Sequence, residues 1–176
     1  MNDLKRYTII GILFVLSIGS LAHFLYDWSG NNSIVGLFTP VNESIWEHMK
    51  LLFFPMLLYS FIMILKFHRK YACITSALCS GILIGAVLIP LFYYAYTYLL
   101  GKNIFILDIS TFILSIVIAF FLSYKLTRSY KLKFYKSLLC ILVGILFICF
   151  FIFTYYPPDT TIFQDPTTAI KFLYLF

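Results

Sequence analysis

Charge is scarce in this chain. Asp, Glu, Lys and Arg make up 11% of its 176 residues, and the acids number only seven. An ordinary soluble domain carries about 25% charged residues, so a water-solvated globular surface is excluded. The four cysteines, Cys73, Cys79, Cys140 and Cys149, contain no CxxC pair and all fall inside apolar runs. That spacing signals neither a zinc knuckle nor a disulfide framework, and the four read as small buried apolar side chains. No HExxH, serine nucleophile elbow, P-loop or dinucleotide fingerprint occurs, so no motif of those kinds names a chemistry here. The first apolar stretch, 7–26, has no small-x-small cleavage site and ends in His23, Tyr26, Asp27 and Trp28. It therefore reads as a retained helix rather than a secretory signal.

What the chain does have is apolar length. It is 62% hydrophobic and 20% aromatic, and several runs approach the roughly 20 residues that cross a hydrocarbon core. The expected fold is an all-α polytopic membrane helix bundle forming one domain, with five transmembrane helices at about 7–27, 42–66, 71–99, 104–126 and 137–155 and a tail at 156–176. Asn42 is the expected N-cap of the second helix, and Pro55 and Pro90 mark kinks. Trp28 and Trp46 are expected to anchor at the interface, as is a tyrosine belt at 93–98. Ala77, Gly81 and Gly85 form a small-xxx-small row, which serves either as a packing face or as a seam between two copies. In the tail, Asp165 and Pro166 supply an N-cap and a first-turn proline for a short interfacial or re-entrant helix at 167–176.

Ten of the thirteen Lys and Arg fall on one side of such a bundle: residues 5, 6, 66, 69, 70, 125, 128, 131, 133 and 136. By the positive-inside rule that side is cytoplasmic, so the N-terminus is expected inside and the C-terminus outside. The net charge of +6 is thereby a topology signal rather than a sign of nucleic-acid binding.

Six of the seven acids and two of the three histidines collect at the opposite, outward side. His23 and Asp27 share a face at the end of helix one, being spaced i, i+4. Glu43 and Glu47 open helix two, where the helix dipole favours anions, and His48 points about 100° away from Glu47. Asp108 sits among Ile106, Leu107 and Ile109 at the start of helix four. Bland explanations exist for each: water contact for Asp27, dipole pairing for Glu43, an i, i+3 ion pair with Lys50 for Glu47, packing for His23. Together, His23, Asp27, Glu43, Glu47, His48 and Asp108 form the candidate ligand set for zinc or another divalent metal. Glu47, Asp108 and His23 are the candidates for proton transfer, and Asp159 and Asp165 for a lid.

Several signatures carry a resemblance: His23-x-x-Tyr-Asp-Trp-Ser-Gly30, Phe38-Thr-Pro-Val-Asn-Glu-Ser-Ile-Trp-Glu-His-Met-Lys50, Leu107-Asp-Ile109, Pro157-Pro158 and Ile162-Phe-Gln-Asp-Pro166. With these the chain resembles an uncharacterised family of small bacterial multi-pass membrane proteins, a domain of unknown function known mainly from Firmicutes. The resemblance implies a bacterial inner-membrane location and supplies no activity. A fainter likeness is to sterol-isomerase-like membrane folds, which set His and Glu around a lipid pocket. Three functions are expected in turn. The first is an outward-facing acidic and histidine pocket for a divalent cation or a cationic group. The second is a membrane-embedded enzyme acting on a lipid or isoprenoid head group, and the third a non-catalytic partner or immunity-type protein. Membrane lipid and an unidentified small molecule are the expected partners.

Overall fold

Five of the apolar runs become helices long and apolar enough to cross a membrane. The computed structural model describes residues 3–165 and is all-helical across them. The helices are α1 (Asp3–Trp28), a single turn α2 (Ser33–Gly36), α3 (Ile45–Phe67), α4 (Ile74–Leu100), α5 (Phe105–Ser129) and α6 (Lys136–Tyr155). Short 3-10 turns at Lys133–Tyr135 and Thr161–Phe163 flank α6. The helix expected at 167–176 lies outside the described residues.

α3 and α4 form the central pair; α1 packs on α3, α5 on α4, and α1 on α5, which closes a four-helix ring. α6 lies outside that ring against α4 and α3. Lipid tails are as apolar as the side chains they meet, so close backbone approach does more here than hydrophobic burial. The row at Ala77, Gly81 and Gly85 supplies it. A Cβ added at Gly81 would lie 2.0 Å from Ser123 Oγ and 2.7 Å from the Ala119 carbonyl, and one at Gly85 would lie 2.8 Å from the Ala119 Cβ. The row is thus covered by α5, and a second copy could reach it only by displacing that helix. Gly81→Ala is expected to destabilise the bundle by about 1–3 kcal/mol, the usual cost of overpacking. Thermal unfolding in detergent checks this, and an unchanged midpoint would contradict the close α4–α5 approach.

Several local expectations need correction. The N-cap of α3 is Ser44, whose hydroxyl faces the Glu47 N–H. Asn42 instead accepts from the Ser44 N–H at 2.9 Å, a turn that comes before the helix. Glu43 is consequently a loop residue, free of the helical direction. Trp46 is not an interface anchor: it is buried, with its ring against Phe150 and Phe163. Among the cysteines, Cys140 is exposed and Cys149 half-buried, while Cys79 Sγ lies 3.7 Å from Cys140 Sγ. The reason is that α6 covers one flank of the bundle and turns much of its own circumference outward. The segment 29–41 folds back on the helices, with Phe38 edge-on to Phe54 and Phe151.

Candidate metal centre and groove

The helices run so that the end of α1, the start of α3, the end of α4 and the start of α5 meet at one end of the ring. Most of the acids lie at this end, and most Lys and Arg at the other. α3 divides the polar residues at the acidic end into two groups, because Glu47 and His48 leave it in directions about 100° apart.

On the α6 side is a buried ion pair. Lys50 is 0% and Glu47 2% exposed, and Lys50 Nζ lies 2.6 Å from Glu47 Oε2. The ammonium also donates to the Gly36 carbonyl at 2.9 Å and to Thr154 Oγ1 of α6 at 2.6 Å. Glu47 Oε2 further accepts from the Val41 N–H at 3.0 Å. A buried charge is tolerated only when paired and hydrogen-bonded, and both conditions hold. The pair therefore joins α3, α6 and the 36–41 loop.

On the opposite side three side chains converge. His23 Nε2 and His48 Nε2 are 3.3 Å apart. Glu43 Oε2 lies 3.6 Å from the first and 3.4 Å from the second. His23 is brought in by the end of α1 and His48 by the first turn of α3. Glu43 reaches both because Ser44, and not Asn42, begins the helix. His48 Nδ1 lies 2.8 Å from the Ser44 carbonyl oxygen. A carbonyl only accepts, so Nδ1 carries a proton; Nε2 offers a lone pair to a metal when the ring is neutral and donates to Glu43 when the ring is protonated. Glu43 is held well below its ordinary carboxylate range by hydrogen bonding from His23 and then from His48, which outweighs its partial burial.

The separations fit a metal. A tetrahedral ion with bonds of about 2.0–2.1 Å places its ligand atoms about 3.3–3.4 Å apart. Two imidazole nitrogens and one carboxylate oxygen at 3.3, 3.4 and 3.6 Å outline one face of such a tetrahedron. Without an ion, the same contacts are two imidazoles sharing a proton beside a carboxylate.

Two openings adjoin the trio. A polar cleft of about 100 Å³ is lined by His23, Tyr26, Asp27, Asn42 and Glu43, among others. A larger groove of about 480 Å³ extends from His23 and His48 into the ring between α1, α3, α4 and α5. Phe112 and Leu51 line it one turn further in, where Gly19 lets α1 close on α3: a Cβ there would sit 2.5 Å from the Leu51 carbonyl. Asp108 lies on the far wall, accepting from the Tyr96 hydroxyl. Asn103, which also lines the groove, donates to the Tyr93 hydroxyl at 3.3 Å.

A family model described as a family of unknown function (DUF6512) matches residues 1–172. The chain belongs to that family. No curated protein and no solved structure matches it. Membership in DUF6512 agrees with the resemblance to a domain family of unknown function and adds no chemistry.

Within this DUF6512 chain, then, the structure gathers His23, Glu43 and His48, with Asp108 across the groove. Asp27 stands exposed on the cleft wall, and Glu47 lies apart in its pair with Lys50. Asp159 and Asp165 line neither opening. The turn between them packs Phe163 on Trp46, on the α6 side. Tyr96 and Asn103 were not legible as site residues: in the sequence they form part of a tyrosine belt and a tight turn. The only hint was that a short turn joins them to Asp108.

Proposed function

We propose that this chain is a multi-pass protein of a bacterial inner membrane that holds a divalent transition metal, zinc by ligand type, at His23, Glu43 and His48. Imidazole and carboxylate ligands suit zinc, and three protein ligands leave the fourth position of a tetrahedron open. The observation that carries this reading is the set of three ligand-to-ligand distances, each near the edge of a zinc tetrahedron. The hydrogen bond from His48 Nδ1 to the Ser44 carbonyl adds to it, since outer partners of this kind orient metal-binding histidines. The basic residues gathered at the other end support a cytoplasmic N-terminus and a site on the non-cytoplasmic side. Elemental analysis of protein purified in detergent without chelator tests the reading: about one zinc per chain is expected, and none, even after incubation with zinc, would overturn it.

Acid should release the ion. Glu43 has a depressed pKa, so its ionised form persists below the ordinary carboxylate range and is lost only as the pH falls through the folded value. Ligand atoms must be free of protons to hold the ion, so protons compete with it on acidification. Zinc content, followed by dialysis from pH 8 to pH 5, is expected to fall across that range. Full retention at pH 5 would count against imidazole ligation.

A further inference from the structure

The groove and the cleft meet at the same two side chains, since His23 and Glu43 line both. One opening is polar and the other is largely apolar. The mouth of the groove carries Phe24, Phe105 and Ile109, all exposed large apolar side chains. A mouth of that composition opens to hydrocarbon rather than to water. The volume of about 480 Å³ lies within the range of cavities that enclose a drug-sized organic ligand. Among the described residues its lining contains Glu43 and Asp108.

We propose that the metal-loaded trio hydrolyses the carboxylic ester of a single-chain amphiphile, the chain coming from the bilayer into the groove and water through the cleft. This rests on the metal reading above and goes beyond it. An acyl chain seated in the groove presents, as its first atom that is not hydrocarbon, its carbonyl carbon at the wall formed by His23 and His48. Zinc held by His23, Glu43 and His48 would leave room for a water and would lower its pKa towards neutrality. The water oxygen bonds to the carbonyl carbon, and the bond from that carbon to the ester oxygen breaks. The proton leaving the water passes through Asp108 to the departing alkoxide, giving one fatty acid and one alcohol. The Tyr96 hydroxyl, which donates to Asp108, orients that carboxylate.

The test uses the whole protein in lipid nanodiscs, loaded with zinc, with a long-chain monoacylglycerol as probe and free fatty acid read by mass spectrometry. Zinc-dependent release is expected. Ser20→Trp fills the groove from an exposed position on α1 and is expected to lower kcat/KM at least tenfold with zinc content unchanged. Asp108→Asn should abolish release and also keep its zinc. Zinc-bound protein that releases no fatty acid overturns the proposal while leaving the metal reading intact, and so does a Ser20→Trp variant as active as the wild type. Failure to bind zinc at all would instead remove the metal reading on which the proposal stands.

Discussion

Lys50→Met is expected to lower the stability of the folded protein by about 3–5 kcal/mol, the cost of breaking a buried ion pair by removing one partner. The substitution keeps the length and packing of the side chain, so the loss reports on charge. Glu47 is left 2% exposed, with its remaining contacts to the Val41 N–H and the Thr154 hydroxyl. The Gly36 and Thr39 carbonyls lose their donor as well. The double variant Glu47→Gln, Lys50→Met should recover a large part of that loss, because two neutral groups leave no buried charge. Unfolding in detergent, followed by circular dichroism, measures the cycle. Additive single losses would show that the two side chains do not act as a pair.

The second large effect concerns the metal. His23→Ala, His48→Ala and Glu43→Gln should each weaken zinc binding by more than about 100-fold. That exceeds the 10–100-fold typical of losing an outer partner, because each removes a ligand atom outright. Competition with a fluorescent zinc chelator measures it. Glu47→Gln is the informative contrast: it should cost stability but leave zinc affinity within a few-fold, since Glu47 projects from the other side of α3. Equal loss of zinc in Glu47→Gln and Glu43→Gln would contradict the division of the polar residues into two groups.

The membrane helices could be read almost entirely from the amino-acid order, because a run of some 20 apolar residues has few alternatives. Each expected span agrees with its helix to within a few residues. The polar end was only partly legible. Periodicity along α3 separates Glu47 from His48, and i, i+3 spacing pairs Glu47 with Lys50. Which of them faces α1 depends on how the helices pack, and spacing within one helix carries no information about that. The cap at α3 was misjudged because Asn42 and Ser44 are both good caps, and only the fold decides between them. That two-residue shift matters: it moves Glu43 out of the helix and lets it reach His23. Trp46 was misread for a related reason. A tryptophan near the end of an apolar run suits a headgroup position, and its burial follows from α6 and the turn at Thr161–Phe163 closing over it.

The tie between Lys50 and Thr154 has a bearing on biogenesis. The two residues are separated by 104 positions, so when α3 leaves the ribosome the hydroxyl that will receive its ammonium has not yet been made. Until α6 is synthesised, the half-built protein carries a cation that lacks one of its final partners on a flank α6 has yet to cover. The arrival of α6 then acts as a latch, adding the Thr154 hydroxyl to the Glu47, Gly36 and Thr39 partners that Lys50 already has.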